Sequence, residues 1–289
     1  MTETLDPRLH AFRADLAAES LRGRVEAPRY AAGEPAQVAR PVIPLRSRPL
    51  AEAALETEAL FGEGLTVFDN AAGFAWVQLA RDGYVGYVPA DALSRELVVP
   101  THRVAAIGTF VYPTADIKSP PLMHLSLGAE LRVEGYGERF ARLSTGGFVV
   151  ERHIAELARP AREFVEVADR FVGTPYLWGG RTRLGLDCSG LVQIALEAAG
   201  HRCPRDSDMQ QAALGSEVLI PANLDGLLRG DLVFWRGHVG IMTDGVLLLH
   251  ANAHHMAVAV EPLVTAAERI AKAGGGPVAA IRRIAPAGA

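Results

Sequence analysis

The chain has very little cysteine. Two residues in 289, Cys188 and Cys203, cannot supply a disulfide framework, so the fold must rest on packing. No apolar run reaches the roughly 20 residues that a membrane-spanning helix needs, so no membrane partner is expected. There is no excess of positive charge: 29 Lys and Arg stand against 33 Asp and Glu, a formal net charge of −4. A nucleic-acid partner is therefore not expected, because no basic stripe is available to track phosphates. The first residues carry Glu3, Asp6 and Pro7, where a secretory leader has a basic start and an apolar stretch, so the expected compartment is the cytoplasm. Close metal-ligand pairs such as Cys-x-x-Cys or His-Glu-x-x-His are missing, and neither metal nor cofactor is expected. What remains is ordinary globular material. A hydrophobic share of 49% with 21% charged residues can bury a core, and the length suits two or three domains.

Four segments are expected. Residues 1–41 read as a short amphipathic helix, with Leu5, Leu9, Phe12, Leu16 and Leu21 on its apolar side, followed by a Pro-rich extended arm with one strand expected around Ala36 to Val42. Residues 42–98 and 99–160 change to short strands with frequent turn signals, the pattern of small β-barrels. A faint repeat links them. Leu65-Thr66-Val67, Trp76-Val77-Gln78-Leu79 and Gly86-Tyr87-Val88 echo Leu131-Arg132-Val133, Phe140-Ala141-Arg142-Leu143 and Gly147-Phe148-Val149. Residues 161–289 open with a helix that has Phe164, Val165, Ala168 and Phe171 on one side. A second helix follows, from Cys188 to Ala199, with Gly200 as its C-cap. Strands are then expected at 231–235, 239–243 and 246–251, with a hairpin turn at Asp244-Gly245. Helices followed by antiparallel strands argue for an α+β domain.

The chemistry gathers in that last segment. Cys188, in Asp187-Cys188-Ser189-Gly190, follows a Gly-rich stretch and opens an apolar-faced helix. The positive end of a helix and its unpaired N–H groups favour a thiolate, the nucleophilic form. Asp187 and Ser189 also serve as candidate caps. His238, in Gly237-His238-Val239-Gly240-Ile241, has small neighbours that leave its ring approachable, and a Cys–His pair is the minimal activated thiol. A third group should orient the imidazole. His250 is favoured because its strand is joined by the hairpin to that of His238, with Asn252, His254 and His255 as rivals. Cys203, between a helix end and Pro204, reads as a structural thiol.

Six blocks in order now resemble the NlpC-type cell-wall cysteine peptidases, a papain-like group. They are Gly173-Thr174-Pro175-Tyr176-Leu177-Trp178-Gly179-Gly180, Asp187-Cys188-Ser189-Gly190-Leu191-Val192, Arg205-Asp206-Ser207, Gly230-Asp231-Leu232-Val233-Phe234, Gly237-His238-Val239-Gly240-Ile241 and His250-Ala251. Asp82-Gly83-Tyr84-Val85-Gly86-Tyr87-Val88 resembles bacterial SH3-like domains. The resemblance implies an α+β, papain-like catalytic domain preceded by two small SH3-like β-barrels. It also implies a triad of Cys188, His238 and His250, with Tyr176 beside the thiol at the oxyanion region; an aromatic packing under a loop is the plainer alternative.

Two barrels ahead of such a domain look like the γ-D-glutamyl-L-diamino acid endopeptidases that recycle murein peptides. These act on a murein-derived peptide with a free N-terminal L-Ala, and their first barrel walls one end of the site. The resemblance then implies substrate contacts from Glu63, Tyr84, Asp187, Ser189, Arg205, Asp206 and Ser207. Of these, Glu63 and Asp206 would meet the ammonium, and Arg205, Ser207 and Ser189 the D-Glu carboxylate. Glu63 as a plain solvent-facing residue is the competing reading. Two other functions stay open here: an amidase or acyltransferase built on the same Cys–His device, and a peptidoglycan-binding protein without catalysis.

Overall fold

The computed structural model describes residues 5–285. The chain divides into two compact units, Met1–Leu157 and Ala158–Ala289. In the first unit the opening residues depart from the expected helix. They form strands Phe12–Arg13, Leu16–Ala18 and Tyr30–Ala31, joined in a three-stranded sheet, with a 3-10 turn at Glu19–Leu21. The reason is tertiary. Leu16, Ala17 and Ala18 form a buried strand. Ala11, Leu16, Ala18 and Leu21 pack around Trp76 of the following strand system. Arg13 completes the attachment, with its guanidinium 4.6 Å from the Trp76 ring centroid and an ion pair to Asp69.

The expected arm also gives up a strand. Glu34–Val38 pairs with Gly64–Ala71 and belongs to a seven-stranded antiparallel sheet with Leu93–Ser94, Phe74–Leu79, Val85–Pro89, Val42–Arg46 and Leu55–Leu60. Strict alternation of buried and half-buried residues along Val42–Arg46 and Val85–Pro89 gives this sheet one core face. A second strand group spans His102–Glu156, in sheets of three and five strands around Val104, Val111, Leu125, Ala141, Leu143 and Val149. The faint repeat has a structural counterpart. Gly64–Ala71, Phe74–Leu79 and Val85–Pro89 form a meander ending in a 3-10 turn at Ala90–Ala92. Val133–Tyr136, Phe140–Leu143 and Phe148–Val150 form another, ending at Glu151–His153.

The second unit is α+β. Helix Phe164–Asp169 is capped by Glu163, whose carboxylate accepts the N–H groups of Val165 and Glu166. Helix Cys188–Ala198 follows a two-stranded ribbon of Arg181–Thr182 and Gly185–Leu186, and ends before Gly200 at φ +86°. Ten of its eleven residues are buried, against the first helix and the strand His238–Met242. The sheet has six antiparallel strands, in the order Ser216–Val218, Ala280–Arg283, Asp231–Trp235, His238–Met242, Leu247–Asn252, Ala257–Pro262. Helix Leu263–Lys272 packs on its last two strands. The buried helix therefore brings its first residue to the strand that His238 opens. Among the described residues, no helix is long and apolar enough to cross a membrane.

Candidate active site

The nucleophile turn is held by a buried carboxylate. Asp187 is the N-cap of helix Cys188–Ala198 and accepts the Gly190 N–H at 2.7 Å and the Gly179 N–H at 2.8 Å. Arg205 then grips it with both terminal nitrogens, at 3.0 and 2.7 Å, and donates a further bond to Ser189 Oγ at 2.8 Å. Glycine is required at 190, because a Cβ there would lie 2.3 Å from the Gly180 carbonyl oxygen. This clamp joins three of the residues expected at the site. Arg205 is 1% exposed, and its guanidinium ties Asp187 and Ser189 together. Asp187 and Ser189 are buried members of the same network. Such a pair costs desolvation that is offset only by complete hydrogen bonding, which the bidentate geometry supplies.

Cys188 is 7% exposed. Its thiol is pushed up to about 12, first by burial and then by the charge of Asp187. Hydrogen bonds from the Val239 and Ser189 backbones act the other way, as does the charge of Arg205, but they do not prevail. The expected resting thiolate is thus corrected to a neutral thiol. Desolvation outweighs the helix terminus once water is excluded. The Val239 contact also locates the sulfur, beside the backbone of the residue that follows His238.

His238 opens its strand after a turn at Gly237 with φ +73°, and its ring lies against Trp235 with centroids 5.7 Å apart. Its Nε2 is 2.8 Å from His250 Nδ1 on the adjacent strand. Burial draws His238 down to about 3, helped by His250 and Arg269, so the imidazole is neutral. His250 is 1% exposed and held near 4, again chiefly by burial, although Glu261 pulls the other way. Of its three rivals, Asn252 turns its carbonyl oxygen to the His255 N–H at 2.8 Å. His254 and His255 are exposed, and their rings meet edge to face.

Two residues here were not anticipated. Glu261 Oε1 lies 2.8 Å from His250 Nε2 and forms an ion pair with Arg269 of helix Leu263–Lys272. Burial raises the Glu261 carboxyl, but His250 and Arg269 together bring it below its ordinary value. A lone Glu before a Pro carries no signal in sequence. Only the pairing of strand Ala257–Pro262 onto the strand of His250 brings it into reach.

Tyr176 is half-buried, its N–H bonded to the Met256 carbonyl at 2.9 Å. Its phenol is driven up by burial first and then by Cys188 and Asp187, which places it near the thiol. Asp206 and Ser207 are half-buried at the start of helix Ser207–Ala213. Glu63 and Tyr84 belong to the first unit. Glu63 is 4% exposed, accepts the Leu60 N–H at 3.0 Å and lies 3.4 Å from Arg81. Burial raises its carboxyl, so the reading of a solvent-facing acid is corrected. Tyr84 is 2% exposed. Among the described residues, no group of three His, Cys, Asp or Glu side chains is arranged to hold a metal ion.

A buried thiol against the backbone of Val239, next in sequence to an imidazole that is hydrogen-bonded to a second histidine, suits nucleophilic acyl chemistry. The comparisons with known proteins agree. Residues 173–269 match the NlpC/P60 family, over the stretch that holds Tyr176, Cys188, His238, His250 and Glu261. The C-terminal unit is an NlpC/P60 domain. Residues 45–93 match a bacterial dipeptidyl-peptidase SH3 domain. An NlpC/P60 family protein of Bacillus cereus of known structure superposes with a TM-score of 0.72 at 20% identity, over 88% of this chain and all of that one, which gives the fold. Among curated relatives, the γ-D-glutamyl-L-lysine dipeptidyl-peptidase of Bacillus subtilis is 28% identical over 225 residues, covering 68% of this chain and 72% of that one. The probable endopeptidase NlpC of Escherichia coli is 39% identical over 88 residues, covering 28% of this chain and 54% of its own. The NlpC/P60 domain makes this protein a cysteine-type peptidase.

Proposed function

We propose that this peptidase hydrolyses the γ-D-glutamyl–diamino acid bond of murein-derived peptides that carry a free N-terminal L-Ala. The observation that carries the reading is the buried Cys188 at the backbone of Val239, the residue after His238, whose ring is itself held by His250. Support for the bond comes from the relatives of Bacillus subtilis and Bacillus cereus, both named γ-D-glutamyl-L-lysine dipeptidyl-peptidase. A dipeptidyl enzyme counts from a free amino terminus, hence the requirement for unblocked L-Ala.

His238 takes the Cys188 proton as sulfur attacks the γ-carbonyl carbon and the C–S bond forms. The oxyanion meets the Cys188 N–H and Tyr176. The C–N bond breaks, and the imidazolium returns its proton to the leaving amine. Water, deprotonated by the same imidazole, then releases L-Ala-γ-D-Glu from the thioester. Asp206 and Ser207 are the proposed substrate contacts in this unit. The strand group of residues 102–156 is read as a second barrel of SH3 type, since it repeats the meander of the first.

A substrate of freed peptides also suits a place in recycling inside the cytoplasm, which cell fractionation tests. The main test is mass spectrometry of L-Ala-γ-D-Glu-L-Lys and its meso-diaminopimelate counterpart, with and without N-acetylation. Release of the dipeptide from the unblocked peptides alone is expected. Equal cleavage of blocked peptide overturns the free-amine requirement. Acyl transfer to an added amine that outpaces hydrolysis overturns the hydrolase.

A further inference from the structure

The chain of hydrogen bonds behind His238 does not stop at His250, and proton counting along it gives a definite result. One proton occupies the 2.8 Å bond between His238 Nε2 and His250 Nδ1. If it sits on His238, the other nitrogen of that neutral ring, Nδ1, is bare and is a base. If it sits on His250, the neutral His238 must carry its own proton on Nδ1, and it cannot accept one from sulfur. Nothing in the pair of rings chooses between these states, since each ring nitrogen is a donor or an acceptor according to tautomer.

The choice is made one residue further on. His250 Nε2 lies 2.8 Å from Glu261 Oε1, and an ionised carboxylate only accepts. His250 must then donate from Nε2, which leaves its Nδ1 bare and assigns the shared proton to His238. Arg269, in an ion pair with the same Glu261 oxygen, keeps the carboxylate ionised. The other titratable group facing this assembly is His255, whose Nδ1 is 3.9 Å from Glu261 Oε1 and beyond hydrogen-bond reach. His255 therefore does not compete for the acceptor.

We propose that Glu261, anchored by Arg269, is a positioning residue that fixes the tautomers of both histidines, so that His238 presents an unprotonated Nδ1 to the Cys188 thiol. Asparagine in the third position would orient a ring without this relay. Here the third group is itself a tautomeric imidazole, so a further residue has to set it. When His238 takes the thiol proton, the resulting imidazolium donates through His250 toward a carboxylate, and no proton has to leave the buried chain. The inference rests on the peptidase reading only for its catalytic consequence, not for the tautomers.

The decisive variant is Glu261→Gln, with a side-chain amide that can turn its NH2 toward His250 Nε2 and so reverse the whole chain. Two-bond 15N–1H correlation spectra of the histidine rings read the tautomers directly, and the rate of Cys188 alkylation by iodoacetamide reads the base without any peptide substrate. In the wild-type protein at pH 7, His238 and His250 are both expected as Nε2–H tautomers. In E261Q they are expected as Nδ1–H tautomers, with alkylation and kcat both lowered roughly a hundredfold and KM little changed. Glu261→Asp, which keeps the acceptor, should restore the wild-type tautomers and part of the rate. A wild-type spectrum with His238 protonated at Nδ1 overturns the proposal whether or not any variant folds. So does an E261Q protein with unaltered tautomers and alkylation rate. If alkylation and tautomers respond as stated while no murein peptide is cleaved by the wild type, the relay stands and the substrate assignment fails.

Discussion

Cys188 and Cys203 are buried to nearly the same degree, 7% and 5% exposed, and neither is in a disulfide. Cys188 begins a helix, with Asp187, Tyr176 and the strand of His238 around it. Cys203 lies just past the end of that helix, its thiol donating to the Pro204 carbonyl at 3.4 Å while its own carbonyl accepts from Gln193 at 3.1 Å. Burial alone therefore says nothing about reactivity. What distinguishes Cys188 is its place at a helix start next to the strand of His238, while Cys203 lies in the loop after that helix.

The comparison is broken most sharply by Cys188→Ala, which should remove peptide hydrolysis to below detection while circular dichroism and the melting curve stay near wild type. Peptide turnover in that variant would detach the chemistry from this sulfur. Next in size, His250→Ala should lower kcat roughly a hundredfold with KM little changed, because a ring that acts through His238 contributes to proton transfer and not to substrate affinity. Steady-state kinetics that show a change only in KM would contradict that role. A smaller effect, on stability, tests the helix that carries the nucleophile. Leu191 is completely buried, and Leu191→Ala should cost about 2–5 kcal/mol by urea unfolding. Cys203→Ala is expected to be the mildest, about 1 kcal/mol with kcat unchanged.

Proton linkage sharpens the same contrast. His238 and His250 have folded values of about 3 and about 4, below the ordinary 6.5, so the unfolded chain binds protons that the folded chain refuses. Their contribution to stability is present above about pH 6.5 and is lost as pH falls toward those lower values. Cys188 runs the other way. Its folded value of about 12 stands above the ordinary 9.0, so its contribution is present below pH 9 and is lost as pH rises to 12. Urea titrations at pH 7, 5 and 4 should show the acid loss, reduced in His238→Gln. The same depressed value keeps the base unprotonated at pH 5, so the acid limb of kcat/KM should fall below 6.5.

Several features were legible before any coordinates. Cys188, after a capping Asp187 and ahead of an apolar-faced segment, was expected at a helix start, and helix Cys188–Ala198 begins there. His238 and His250 were legible because Asp244-Gly245 announces the hairpin that sets their strands side by side. The first residues misled, since Leu5, Leu9, Phe12 and Leu16 have helical spacing, yet Leu5 and Leu9 lie in loop and turn while Phe12 and Leu16 enter strands packed on Trp76. The Arg205–Asp187 pair left no signal in the sequence: its burial appears only when the helix and the following loop are packed.

The residue order by itself determined which groups exist for the chemistry, where the nucleophile helix begins and which strands alternate toward a core. These are local matters of capping, periodicity and turn type, readable over a few residues. The tertiary structure alone decided that the Cys188 thiol is buried, that Arg205 pairs with Asp187, and that Glu261 and Arg269 stand behind His250. Each of those depends on how much water is excluded and on which atoms approach within about 3 Å, and both arise only when segments far apart in the chain are brought together.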